Sequence, residues 1–162
     1  MFRKTLIVLA ALLAVTASAS AAHRAVDQRL PAATPAGQTT LYGHISSLVQ
    51  KGSRYELRFD PALWLTGVPA ERACGCRPVA NDYFIVDETH RLLTYVVPST
   101  AHATILTGGA HGTEITVAEL AQIVKGENPR HRNISEPKAG FWIRVGARYP
   151  SPVLALDQQY QP

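Results

Sequence analysis

Between Tyr55 and Phe59 the chain reads Tyr55-Glu-Leu-Arg-Phe59, a strict alternation of apolar and charged side chains. Successive residues of a β-strand point to opposite faces. This period of two therefore commits the segment to a strand with Tyr55, Leu57 and Phe59 on a dry face and Glu56 and Arg58 in water. A second strand signal precedes it from Leu41 to Val49, with Ile45 and Val49 expected on one side, and Lys51-Gly52-Ser53 between the two is a turn. A hairpin is the economical reading of this stretch.

The first residues point to export. Arg3 and Lys4 precede an apolar run, LIVLAALLAV from Leu6 to Val15, which is well short of the ~20 residues that a spanning helix requires. Small residues follow, with Ala19 and Ala21 or Ser20 and Ala22 at the −3 and −1 positions of a cleavage site. Residues 1–22 are thus expected to be a signal peptide, cleaved after Ala21 or Ala22. Residues 23–39, rich in Ala, Pro and Thr, read as a flexible lead, and residues 40–162 as one globular β-rich domain of a secreted or periplasmic protein. Loss of Arg3 and Lys4 leaves 14 basic residues against 12 acidic ones. The arginines are scattered singly, so no nucleic-acid partner is expected. Arg130-His131-Arg132, the densest basic stretch, reads as a solvated loop. No second apolar run is long enough to span a membrane.

Asp60-Pro61 predicts a short helix after the second strand, since Asp caps helices and Pro suits their first position. Ala62 to Thr66 would form one or two turns ended by Gly67, with a second short piece from Pro69 to Ala73. Trp64 is expected to plug the open face of the hairpin. Tyr83 to Val86, Leu92 to Val97 and Ala103 to Leu106 read as further strands, with a turn at Asp87-Glu-Thr-His90. Thr116 and Glu119 can form a reciprocal capping box, with Ile115 and Leu120 as a hydrophobic staple. They open an amphipathic helix with an apolar stripe of Val117, Leu120, Ile123 and Val124, stopped at Gly126. A polar loop through Asn128-Pro129 and Glu136-Pro137 leads to Phe141-Trp-Ile-Arg-Val145 and then Val153 to Asp157, read as a closing hairpin. Phe141, Ile143 and Val145 share one face, and Trp142 and Arg144 the other. The expected fold class is α+β. It comprises a small antiparallel sheet or partly open barrel, one short helix after strand 2, and one amphipathic helix before the C-terminal hairpin.

Four segments together resemble a family of uncharacterised secreted or envelope-associated bacterial proteins. They are Leu57-Arg-Phe-Asp-Pro-Ala-Leu-Trp-Leu-Thr-Gly67, Asn81-Asp-Tyr-Phe-Ile-Val86, Phe141-Trp-Ile-Arg-Val145 and Leu156-Asp-Gln-Gln-Tyr-Gln-Pro162. The resemblance implies a signal peptide or lipid anchor and a compact β-rich domain, and it transfers no catalytic residue. The chain departs from it at Cys74-Gly-Cys76 and in a longer final turn through Arg148-Tyr-Pro-Ser-Pro152.

Cys74 and Cys76 are expected to form a disulfide in an oxidising compartment, a loop clip rather than a redox catalyst, because no thioredoxin-like pattern surrounds them. Zinc would need those thiolates together with His90, His102 or His111, yet only one close pair of ligands exists, so no metal site and no cofactor is expected. No G-x-S-x-G or HExxH motif occurs. His111 and Glu114 lie three apart in a stretch that Gly108, Gly109 and Gly112 should make a flexible loop, while Asp60, Asp82 and Asp87 have roles as caps or turn formers. Catalytic residues stay unassigned. The question left for the structure is whether His44, His90, His102 or Asp82 converge on a pocket. The functional expectation is a non-catalytic binding or interaction module of the cell envelope with an unidentified protein or ligand partner. The alternative is a secreted hydrolase or a thiol redox protein using the cysteine pair.

Overall fold

The computed structural model describes residues 34–88, 91–135, 139–146 and 151–161. The expected signal peptide, most of the lead, His90 and parts of three expected loops lie outside them. The strands and helices run in the order β1 (Gln38–Lys51), β2 (Arg54–Thr66), α1 (Gly67–Cys74), β3 (Tyr83–Val86), β4 (Leu93–Pro98), β5 (His102–Thr107), β6 (His111–Ile115), α2 (Val117–Val124), β7 (Phe141–Gly146) and β8 (Val153–Gln158). A single 3-10 turn, Ala80–Asp82, precedes β3.

The expected hairpin is present as β1 and β2, paired antiparallel from Tyr42 opposite Ala62 to Lys51 opposite Arg54. Tyr55, Leu57 and Phe59 are buried and Glu56 and Arg58 exposed, as the alternation requires. The partner strand departs from expectation. A β-bulge between Ile45 and Ser47 inserts one residue, so Leu48 turns inward opposite Leu57 and Val49 is left 39% exposed. A bulge reverses the parity of every later side chain on its strand, which is why Val49 does not share the face of Ile45.

The helix expected over Ala62 to Thr66 is absent, and β2 continues through Asp60-Pro61 to Thr66. Two partners explain the extension. β1 supplies Tyr42 and Gly43 on one side of it, and β3 supplies Tyr83 to Val86 on the other. At the bend Pro61 lies opposite Gly43, and a Cβ on Gly43 would meet the Asp60 carbonyl oxygen at 2.1 Å and the Pro61 Cα at 2.8 Å. Only glycine lets the two backbones approach so closely. The short helix after strand 2 therefore begins at Gly67, not Ala62, and it extends the piece expected from Pro69.

The sheet order is β3-β2-β1-β7-β8-β5-β6, with β4 paired to the first half of β2. The sheet is open, not closed into a barrel, although an isolated bridge between Val96 and Pro152 brings β4 toward β8. One pair breaks the antiparallel pattern, since β5 runs parallel to β8. A hairpin, a helix and β7 intervene between those two strands, and a connection of that length can carry the chain back to a parallel start. The stretch expected to be a flexible loop at His111 is strand β6. Gly108 and Gly109, both at positive φ, make the turn that folds it back on β5.

α2 covers the inner face. Val117, Leu120, Ala121 and Ile123 are buried with Leu48, Leu57, Phe59, Ile105, Phe141, Ile143, Val153 and Leu156. The Thr116 hydroxyl accepts from the Glu119 N–H at 3.1 Å, but the reciprocal half of the capping box does not form. Glu119 is instead buried, 5% exposed, and its carboxylate takes Arg132 at 2.7 Å and Arg130 at 3.3 Å. Desolvation makes an unpaired carboxylate costly there, so Arg132 folds back on the helix, while Arg130 and His131 stay on the solvated surface expected of this loop. Among the described residues no helix is long and apolar enough to cross a membrane.

Replacing Gly43 by alanine is expected to lower unfolding stability by at least about 3 kcal/mol, the upper end for overpacking, because the obstacles are backbone atoms. Gly146→Ala, whose added carbon would meet only ordinary contacts with Ser151 at 3.5 Å, is the matched control with little change. Denaturant titration of both variants checks this.

Candidate functional site

The outer face of the sheet carries the features that core packing does not account for. Residues opposite one another on paired strands point to the same side. The register therefore sets one outer row of Ala62, Tyr42, Trp142, Asp157, Thr104 and Glu114 across β2, β1, β7, β8, β5 and β6. This row is aromatic toward β2 and polar toward β6.

At the aromatic end four rings pack together. Trp64 stacks on Tyr83 with centroids 4.0 Å apart and planes 13° from parallel. Tyr42 meets Trp64 edge-on at 5.0 Å and Trp142 at 5.0 Å with a 59° tilt, within the range at which aromatic pairs attract. Trp64 therefore does not plug the open face of the hairpin from a following helix, as expected; it is itself a β2 residue, packed in a cluster of rings on the outer side of the sheet. The C-terminal tail lies over this cluster. The Trp142 indole donates to the Gln159 side-chain oxygen at 2.8 Å, and Gln161 donates to the Tyr42 hydroxyl. Tyr42 is 3% exposed on what is otherwise the outer side of the sheet. Burial pushes its phenol up to about 12, against the lowering effect of the Gln161 bond. Gly140 makes room for it, since a Cβ there would stand 2.2 Å from the Tyr42 hydroxyl oxygen.

Beside the cluster opens a cleft of about 390 Å3, lined by Trp64, Thr66, Gly67, Glu71, Pro78, Val79, Asp82 and Gln159. β2 contributes its last residues, α1 contributes Glu71, the loop after α1 contributes Pro78 and Val79, and the tail contributes Gln159. The loop is held at its start by Cys74 and Cys76, whose sulfurs lie 2.02 Å apart, at disulfide distance, and by an ion pair of Glu71 with Arg77 at 3.4 Å. It ends in two left-handed residues, Asn81 at φ 57° and Asp82 at φ 60°, a conformation that Asn and Asp tolerate better than other side chains do. That pair places Asp82 on the wall of the cleft. Trp64 also lines the cleft, and its Nε1 is sealed from solvent without a hydrogen-bond partner. An indole N–H removed from water normally finds an acceptor, and leaving one unmet costs about 1–3 kcal/mol.

At the polar end, His102 lies between two carboxylates. Its Nδ1 is 3.3 Å from Glu114, its Nε2 is 3.8 Å from Asp157, and the same Nε2 is 3.0 Å from the Thr104 hydroxyl. Hydroxyl, imidazole and carboxylate in series resemble a hydrolytic triad, but the direction of the bonds differs. Thr104 donates its proton to Asp157 at 2.9 Å, so toward His102 it can only accept. A general base must take the nucleophile's proton, and here the ring donates.

The sequence-level candidates do not converge. Asp82 reaches the cleft. His44 instead faces Asp87 at 3.7 Å, His102 and Glu114 belong to the polar cluster, and His111 stands on the edge strand β6. Among the described residues no group of three or more His, Cys, Asp or Glu is arranged to hold a metal ion. Thr66, Pro78, Val79 and Gln159 gave no sequence signal as wall residues, because their proximity arises only when the tail crosses β2 and α1.

The Tyr42 contribution to stability is expected to be constant up to about pH 10 and then to be lost toward pH 12. In that window the unfolded chain releases the Tyr42 proton, while the folded chain, with the phenol raised to about 12, still holds it. Tyr42→Phe should remove that part of the alkaline loss, measured by denaturant titrations across the range. No family model, no curated protein and no solved structure matches this chain.

Proposed function

We propose that this protein is a non-catalytic binding module exported to the cell envelope, and that the cleft between Trp64 and Asp82 is its ligand site. The observation that carries the reading is a concave site of about 390 Å3 beside an aromatic cluster, with a wall that mixes apolar and polar side chains. Ligand sites are concave, largely apolar, and furnished with a few placed polar groups, and this cleft combines Pro78, Val79 and the indole with Thr66, Asp82 and Gln159. Its walls are braced by the disulfide-distance cysteine pair, the Glu71–Arg77 ion pair and the bonded tail. Preformed walls reduce the ordering cost of binding. Export rests on the leader: Arg3 and Lys4, an apolar run and a small-residue cleavage site.

The chain holds two tryptophans, so a 15N-labelled sample gives two indole N–H signals, assigned with Trp64→Phe. Small-molecule extract of envelope fractions should shift the Trp64 signal and leave that of Trp142 nearly unmoved, and Asp82→Ala should abolish the response. Binding that leaves the Trp64 signal in place puts the site elsewhere, and robust turnover in a hydrolase panel that is lost in His102→Ala reverses the non-catalytic reading. N-terminal sequencing of the protein recovered from its native source should start at Ala22 or His23, and retention of Met1 in a cytosolic fraction would remove the envelope assignment.

A further inference from the structure

Away from the cleft, the register of β1, β2 and β4 gathers on one side basic residues that the sequence scatters. Lys51 stands opposite Arg54 and Arg54 opposite Pro98; Val49 stands opposite Glu56 and Glu56 opposite Val96; Ser47 stands opposite Arg58 and Arg58 opposite Thr94. Opposed residues share a face, and this is the outer face, since the intervening Tyr55, Leu57 and Val97 are buried. Lys51, Arg54 and Arg58 are exposed there beside a single acid, Glu56. Val49 and Val96 are each 39% exposed on the same face, and Leu92, one residue before β4, is 38% exposed. They are three of the five exposed large apolar side chains among the described residues. We infer that this face seats the protein on the anionic surface of an envelope membrane, with phosphate headgroups against the cations and the aliphatic tips among the upper acyl carbons.

The make-up of the face selects a bilayer over other anions. Arg54 and Arg58 are four residues apart along β2, about 13 Å of strand, a spread that suits a layer of headgroups better than one small anion. Aliphatic carbons stand between the cations. A soluble polyanion leaves them in water, whereas the interfacial zone of a bilayer takes them up. Single-stranded nucleic acid is held on aromatic platforms, and these three rows contain no ring. A second copy would bring the same excess of positive charge. At the opposite end of β2, β3 is bracketed by the exposed acids Asp82, Asp87 and Glu88, so a negative surface attracts one end of the strand and repels the other. The cleft, lined by Trp64 and Thr66 of that far end, is thereby held away from the membrane. This inference shares only the envelope location with the reading of the cleft.

The test is cosedimentation of the processed chain, starting at Ala22 or His23, with phosphatidylcholine vesicles prepared with and without phosphatidylglycerol. Binding should require phosphatidylglycerol and be lost as salt is raised from about 0.01 M to about 1 M, over which the screening length falls from about 30 Å to about 3 Å. Arg54→Gln and Arg58→Gln should each weaken binding about 5-fold, the equivalent of about 1 kcal/mol for a basic residue at an anionic surface. Glu56→Gln should strengthen it by a similar factor. Val96→Ser should weaken vesicle binding but not retention on heparin, which offers charge without an apolar layer. Equal binding to phosphatidylcholine alone, or affinities unmoved by the three charge variants, overturns the inference. Heparin retention that depends on both arginines, beside vesicle binding indifferent to Val96→Ser, overturns it in favour of an anionic polymer. Asp82→Ala should abolish the cleft response and leave vesicle binding intact, so either reading can fail without the other.

Discussion

Burial of Tyr42 on the outer side of β1 is the constraint on which the cleft-bearing half of this molecule depends. β1 is paired on both sides, with β2 and β7, and its inward residues complete the core under α2. An unsupported aromatic on the opposite side would face water. Here it is closed in by Trp64, Trp142, the bare Cα of Gly140 and the tail residue Gln161. The sheet is thereby covered on two faces at one end, and the second cover is what creates a cleft beside it. The C-terminal segment is a structural element in this arrangement. Gln158 turns to the core side, where it accepts the Leu106 N–H at 2.7 Å, and Gln159 turns to the aromatic side, as the alternation of an extended chain demands.

Charge is managed by the same logic of local enclosure. Glu119 entered the sequence as half of a capping box, but it is buried between α2 and the following loop, where two arginines compensate it more fully than the backbone N–H of a cap would. On the outer face Thr104 donates to Asp157 and lies beside His102, whose other ring nitrogen faces Glu114.

Much of the secondary structure was legible from periodicity and caps alone. The strand at Tyr55 to Phe59, the amphipathic helix from Thr116 to Gly126 and the closing hairpin of Phe141 and Val153 occur where the pattern put them, because their burial follows a local repeat. Asp60-Pro61 misled for a physical reason: a helix N-terminus and a bent strand begin with the same residue types. The choice between them was made by Gly43 and β3, one of them some 17 residues away and the other about 22 residues on. The bulge at Ser46 has no local signal at all, and it decides that Leu48 rather than Val49 is in the core. Of the site, Trp64, Asp82 and the cysteine pair were visible as distinctive residues. Their assembly was not, since a cleft wall is a property of neighbours in space.

By itself the amino-acid sequence determined the α+β character, the two faces of the first hairpin, the position of α2 and the pairing of Cys74 with Cys76, all of which follow from repeats or spacings within a few residues. Tertiary structure alone decided that β2 runs on past Pro61, that β8 lies parallel to β5, that Arg132 closes over Glu119, and that Gln159 and Asp82 come to line one cleft. These are long-range pairings whose free energy comes from surfaces brought together by the whole sheet, and no short window of sequence contains both partners.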